Sequence, residues 1–338
     1  MQRFEPYAWL RNPHAQTFAY ALWPRKFPRL PAGVRREFET EPGTRILGHC
    51  HWQPFPRQSP TLALVHGLEG SSESGYMLGL AERAFAAGWN AIRLNQRNCG
   101  GTEALTPTLY NSGLSADYAA VLAELIGADN LPGIFLAGYS MGGNLVLKLA
   151  GDLADNPPRQ LLGVAVVGPS LDLAACSDAV AQPGNFWYQR RFVMGLKARM
   201  RRKGKLFPGR YDLGKMSRVR TLREFDDVIT APYCGYRDAA DYYAQASALR
   251  VAGQIRVPTS ILTAQDDPFV PFESFSDAAL AGNAFVTIVA PERGGHCAFI
   301  SRQGGESRFW GELQVMTFAA RLAAAAGNGR SVAEPRQH

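Results

Sequence analysis

Gly138-Tyr139-Ser140-Met141-Gly142 follows the apolar run Ile134-Phe135-Leu136-Ala137 and precedes Asn144-Leu145-Val146-Leu147-Lys148-Leu149-Ala150, a stretch of helix formers. A chain that turns from strand to helix within two residues needs small neighbours at the turn, and glycine stands on both sides here. The apical residue then projects from the carboxyl end of a sheet, with unpaired N–H groups of the first helical turn pointing toward it. A serine so placed is a candidate nucleophile.

The same strand-then-helix alternation extends through the chain. Val34 to Gln53 alternates apolar and polar residues about the turn cluster Glu41-Pro42-Gly43-Thr44 and predicts a hairpin. Short apolar runs follow at Leu62–Val65, Ala91–Leu94, Ile134–Ala137, Val164–Val167, Ile261–Thr263 and Val286–Val289. Runs without alternation suit strands covered on both faces. Between them, Met77–Ala87, Ser115–Ile126 and Phe272–Leu280 read as helices, and Phe309, Leu313, Met316 and Ala320 give the last helix its spacing. The predicted class is α/β: a mainly parallel central sheet with helices on both faces and right-handed crossovers.

The segment between Val164 and Ile261 is too long for one crossover. Residues 171–236 are expected to form a helical cap over the carboxyl edge of the sheet, between core segments 34–170 and 237–326. Residues 1–33, with Tyr7, Trp9, Phe18, Trp23 and Phe27 among several prolines, cannot form one long helix and read as an aromatic arm packed on the domain. Residues 327–338 read as a disordered tail. Inside the cap, Phe192, Val193, Leu196 and Met200 form a stripe among Arg190, Arg191, Lys197, Arg199, Arg201, Arg202, Lys203 and Lys205. Such a helix packs one face on its own domain; the partner it suggests for the other face is an anionic membrane surface.

Composition narrows the class further. At 338 residues, 46% hydrophobic and 19% charged, the chain reads as a globular protein with a sizeable core. The net charge of +7 comes with no zinc-finger spacing, RNA-binding signature or basic tail, so nucleic acid is not an expected partner. The five cysteines (Cys50, Cys99, Cys176, Cys234, Cys297) form no C-x-x-C pair, which points to reduced thiols in the cytoplasm rather than disulfides or zinc. Met1 to Pro6 lacks the layout of a secretion signal.

A serine hydroxyl is a weak nucleophile without a base in hydrogen-bond reach. In folds with such a turn the partners follow in the order serine, acid, histidine. Only His296 and His338 lie far enough downstream, and His338 ends the tail; His296 stands in the flexible loop Gly294-Gly295-His296-Cys297. The acid should leave the strand at Ile261, where Asp266 and Asp267 both stand. Asp267, immediately before Pro268, is preferred, and Asp266 is its rival as a loop-capping residue. Charge developing on a carbonyl oxygen needs backbone donors. Met141, after the serine, offers one, and Leu68 in His66-Gly67-Leu68-Glu69-Gly70 is the candidate for the second. His66 reads as a structural loop residue.

Taken together, His66-Gly67-Leu68-Glu69-Gly70-Ser71-Ser72-Glu73-Ser74, Gly138 to Asn144, Phe225-Asp226-Asp227, Asp241-Tyr242-Tyr243, Asp266-Asp267-Pro268-Phe269 and Gly294-Gly295-His296 resemble the YheT-like branch of the α/β-hydrolases. These are bacterial relatives of ABHD-type lipases and plant EMB-type proteins. Asn12-Pro13-His14-Ala15-Gln16-Thr17 is similar to the N-terminal signature of that branch, so the likeness spans residues 12 to 320. It implies the α/β-hydrolase fold, a serine esterase or lipase-like activity, Ser140, Asp267 and His296 as the triad, a helical cap and no cofactor. It also strengthens the choice of Asp267. Two stretches depart from the branch, Gln96-Arg97-Asn98-Cys99-Gly100-Gly101 and Cys297-Ala298-Phe299, and both are expected to reshape the pocket.

The expected function is a serine carboxylic-ester hydrolase working through an acyl-enzyme on short- to medium-chain acyl or lipid esters. The alternative is a non-hydrolytic ligand-binding protein on the same scaffold. Ser140 at the turn excludes enzymes that need a carboxylate nucleophile there. Gly327-Asn328-Gly329, with no strand before it, gives no support to dinucleotide binding.

Overall fold

The structure, a computed structural model, describes residues 3–331. Strands β1 (Val34–Glu41), β2 (Thr44–His51), β3 (Thr61–Val65), β4 (Asn90–Leu94), β5 (Ile134–Tyr139), β6 (Leu161–Val167), β7 (Thr259–Leu262) and β8 (Val286–Val289) form one sheet. Their order is β1-β2-β4-β3-β5-β6-β7-β8. The expected hairpin is β1 and β2, antiparallel to each other; β2 also runs antiparallel to β4, and all other pairings are parallel. Every residue of β3, β4 and β5 is buried, as unbroken apolar runs require when both faces are covered.

The register matters for function. Val65 pairs with Gly138, Tyr139 with Val167, Val167 with Leu262, and Leu262 with Val289. Five parallel strands therefore end at nearly one level, and the loops that follow them emerge along a single edge.

The helices, in chain order, are α1 (Pro13–Leu22), α2 (Gly75–Ala86), α3 (Ser115–Gly127), α4 (Met141–Asp152), α5 (Leu173–Val180), α6 (Phe186–Leu206), α7 (Leu222–Phe225), α8 (Ala231–Cys234), α9 (Ala239–Ala246), α10 (Ala278–Ala281) and α11 (Trp310–Ser331). Alternate strand residues feed opposite faces. Ala63, Val65, Leu136 and Val164 pack with α3 and α4, whereas Leu62, Leu64, Phe135 and Ala137 pack with α2 and α11. The sheet is thus sandwiched, and α5 to α9 lie between β6 and β7 in sequence. Val193, Leu196 and Met200 of α6 pack with Leu109, Phe225 and Ile229 in a satellite core, and Tyr242 and Tyr243 of α9 pack with Leu173 of α5.

Two expectations change. Phe272–Leu280 is not one helix: a 3-10 turn over Phe272–Ser276 stops at Asp277, whose side chain accepts the N–H groups of Ala279 and Leu280 and starts α10 afresh. Arg199 and Lys203 do not join the solvated rim of α6; both are buried, Lys203 donating to the carbonyls of Glu103 and Thr106. Of the expected tail, 332–338, with His338, lie outside the described residues.

The N-terminal arm holds α1, begun by Pro13 and capped by Asn12, whose Oδ1 accepts from His14 and Ala15. A buried ion cluster ties the arm down: Arg25 meets Glu312 at 2.6 Å and Arg83 meets it at 3.1 Å, with the Glu312 side chain fully enclosed. Gly79 makes room for this pair, since a Cβ there would collide with the Arg25 guanidinium and the Glu312 carboxylate. Removing Glu312 leaves the half-buried guanidinium groups of Arg25 and Arg83 without their anion. Glu312→Ala is expected to cost about 3–5 kcal/mol in urea unfolding, and Glu312→Gln less. An unfolding midpoint equal to the parent's would show that the cluster carries no such weight.

Candidate active site

Ser140 sits at the strand–helix turn with φ 54° and ψ −122°, a conformation that costs a side-chain-bearing residue energy. Close packing holds it there. A Cβ at Gly138 would strike the Gly142 backbone, and one at Gly142 would strike the carbonyls of Val65 and His66. The Ser140 N–H donates to the Val167 carbonyl at 2.9 Å, and the Ser140 carbonyl accepts from Asn144 at 3.0 Å. Asn144 then locks the base of the helix: its Nδ2 donates to the Ser112 and Ala246 carbonyls at 2.9 Å each, and its Oδ1 accepts from Ala248 at 2.7 Å.

The loop after β7 brings Asp267 in and the loop after β8 brings His296. The hydroxyl of Ser140 lies 2.9 Å from His296 Nε2, and His296 Nδ1 lies 2.8 Å from Asp267 Oδ2. Asp267 Oδ1 also accepts the N–H groups of Phe269 and Val270, which fixes the carboxylate. With Nδ1–H donating to Asp267, Nε2 faces the serine. Asp266 is placed otherwise: its Oδ1 accepts from Gly295 at 2.9 Å, bracing the histidine loop. Burial by itself would pull the His296 imidazole down, but the Asp267 carboxylate outweighs it and holds the ring well above the ordinary histidine range.

Gly67 lies against the serine; a Cβ there would meet Ser140 Cβ at 3.1 Å. Its N–H donates to the Tyr76 hydroxyl at 3.0 Å, which pins the loop carrying Leu68. Met141 opens α4, where no preceding turn offers its N–H a carbonyl. Leu68, Met141, Ser140 and His296 line one cavity under the helices between β6 and β7. Its wall is mostly apolar, with Leu109, Leu173, Val180 and Phe192 among its members. His66 is buried, its Nε2 accepting the Gln96 N–H at 3.1 Å, and burial lowers it to about 4, so it stays a neutral loop brace.

Thr17 and Tyr76 play parts that spacing did not reveal. Thr17 Oγ1 accepts the His296 N–H at 2.9 Å while donating to the Pro13 carbonyl at 2.7 Å. A Cβ at Gly295 would run into Thr17 and the Pro13 carbonyl, so the arm is seated directly on the histidine loop. The Asn12 to Thr17 stretch stood out in the sequence, but nothing in it pointed to residue 296. The Gln96 to Gly101 turn is structural in part: the Arg97 guanidinium grips the buried Asp117 carboxylate at 2.7 and 2.5 Å. In the Phe225-Asp226-Asp227 stretch, Asp226 stands half-buried in the cavity wall, accepting from Thr230 and from Tyr243, and desolvation there raises its carboxyl to about 6.

Among the described residues no group of three or more His, Cys, Asp or Glu side chains is placed to hold a metal ion, and no helix is long and apolar enough to cross a membrane.

A family model described as the alpha/beta hydrolase family matches residues 62–306. The Escherichia coli (strain K12) protein named "Putative esterase YheT" is 32% identical over 317 residues, covering 92% of this chain and 91% of that protein. The mouse (Mus musculus) protein named phospholipase ABHD3 is 28% identical over 242 residues, 71% of this chain but only 58% of that longer protein. Among solved structures, the Pyrococcus furiosus esterase Pf2001 superposes with a TM-score of 0.58 at 15% identity, covering 94% of this chain and 99% of that one.

The His296 ring offers a direct check. Followed by NMR, it is expected to titrate above the usual value of about 6.5. Asp267→Asn removes the stabilising anion and leaves burial in control, so the titration should fall below that value. A ring that ignores Asp267→Asn but responds to Asp266→Asn would transfer the partnership to Asp266.

Proposed function

The chain belongs to the alpha/beta hydrolase family, in its YheT-like branch, and its relatives are named as esterases and lipases; from that premise we propose that it is a serine carboxylic-ester hydrolase. The observation that carries the proposal is the unbroken relay from the Asp267 carboxylate through His296 to the Ser140 hydroxyl, at 2.8 and 2.9 Å, beside an apolar cavity. Ser140 Oγ attacks the acyl carbonyl as His296 Nε2 takes its proton. The same proton then passes to the departing alcohol, leaving an acyl-enzyme. Asp267 orients the ring and stabilises its charged form. The backbone N–H groups of Leu68 and Met141 receive the oxyanion, the kind of contact worth about 3–4 kcal/mol each. Water then repeats the sequence and releases the acid. The apolar wall favours short- to medium-chain acyl or lipid esters.

The five cysteines are all unpaired, which fits a reducing, cytoplasmic setting. A peripheral contact with anionic membrane is part of the proposal. Phe186, Trp187 and Met194 are exposed on α6 by 52%, 70% and 58%, and Arg190, Arg191, Arg201 and Lys205 are exposed on the same helix, which has no acidic residue.

Fluorophosphonate should label the parent protein and not Ser140→Ala, and Ser140→Ala should lose the burst with p-nitrophenyl esters. His296→Ala and Asp267→Asn should lower turnover by about 10⁴-fold with little change in binding. An unlabelled parent would instead support a binding protein. Because His296 must be neutral to accept a proton, kcat/KM should fall as pH drops through its pKa. With that pKa raised, the acid limb should lie above pH ~6.5, and an acid limb below it would contradict the relay. Sedimentation with phosphatidylglycerol vesicles, weakened by salt and by Trp187→Ser, is expected for the membrane contact; equal binding to phosphatidylcholine vesicles would refute it.

A further inference from the structure

Among the described residues, Arg199 is the one guanidinium in the wall of the cavity that holds Ser140 and His296. It projects from α6, and its side chain is 8% exposed. Its hydrogen bond and its ion pair both run through one nitrogen: Nη1 donates to Cys99 Sγ at 3.1 Å and faces Glu69 Oε1 at 3.0 Å. The Tyr110 hydroxyl donates to the same Glu69 oxygen at 2.8 Å, and the Tyr110 ring lies 4.7 Å beneath the guanidinium carbon, which fixes the plane of the group. Nε is buried without any hydrogen-bond partner.

An arginine stays charged at every physiological pH, and its Nε–H and Nη2–H point the same way as a two-pronged fork matched to carboxylate and phosphate. A buried donor left unmade is destabilising, and such a group is kept where something completes it. Glu69 does not remove the need, because it engages the opposite end of the guanidinium and shares its oxygen with Tyr110.

We propose that the Nε edge of Arg199 is a subsite for an oxyanion, a phosphate or a carboxylate, carried by the ester that Ser140 attacks. This rests on the hydrolase reading and narrows it: the substrate has an apolar acyl part for the cavity wall and one anionic group for Arg199. Arg199 binds and orients; it takes no part in proton transfer.

The test uses ester pairs matched in acyl chain, one member anionic and one neutral: butanoyl glycerol phosphate against butanoyl glycerol, and O-butanoyl lactate against its methyl ester. The parent protein should favour the anionic member of at least one pair by about tenfold or more in kcat/KM, as expected for a charge-assisted fork, and the pair that responds identifies phosphate or carboxylate. In Arg199→Lys and Arg199→Gln the anionic-to-neutral ratio should fall toward one. Reading a ratio cancels any general loss from a disturbed cap. Neutral esters matching or exceeding both anionic ones in the parent, or a ratio unchanged in both variants, would overturn the subsite. If fluorophosphonate fails to label Ser140 and no ester is turned over, the hydrolase reading fails separately. Calorimetric titration with phenyl phosphate then decides the subsite: binding to the parent but not to Arg199→Gln keeps it, and no binding removes it.

Discussion

The turn at Ser140 holds a side-chain-bearing residue at φ 54°, and much of the molecule is arranged to keep it there. The strain is local, whereas the contacts that resist it come from afar: β6 receives the serine N–H, and the end of β3 blocks any side chain at Gly142. Asn144 binds the start of α4 to the loop before α3 and to the end of α9. A serine held this way presents its hydroxyl to the cavity without having to find the conformation at each encounter.

The partners of that serine are held by a second set of constraints. The histidine loop has little structure of its own, with Gly295 and Cys297 both at positive φ. It is positioned from outside, by Asp266 on one side and by Thr17 of the N-terminal arm on the other. The arm is anchored by the Arg25–Glu312 pair, packed against Gly79 of α2. Residues at the two ends of the chain thus set the aim of one imidazole. The helices between β6 and β7 supply the remaining wall, and through Arg199 and Glu69 α6 touches the loop that carries Leu68. The cavity, the loop carrying Leu68 and the helices between β6 and β7 are for that reason joined in one network of contacts.

The sequence reading failed where local pattern and tertiary demand part company. Phe272–Leu280 has helical spacing, but Asp277 offers its own side chain to the N–H groups ahead of it and restarts the backbone. Arg199 and Lys203 look like rim charges because periodicity counts residue type and not partners; burial became tolerable only when Glu69, Cys99 and the carbonyls of Glu103 and Thr106 converged on them.

Sequence alone settled the core strands and the turn at Ser140, because apolar runs and small residues at a turn are imposed by backbone sterics acting over a few residues. The choice of Asp267 over Asp266 as the carboxylate facing His296 was preferred from sequence but decided only by the assembled sheet. Adjacent side chains in a loop leave in different directions, and which one meets an imidazole 29 residues away depends on how two strand ends are levelled by hydrogen bonding. The seat of Thr17 under residue 296 and the unpaired edge of Arg199 likewise exist only in three dimensions, since both are made by segments that share no sequence neighbourhood.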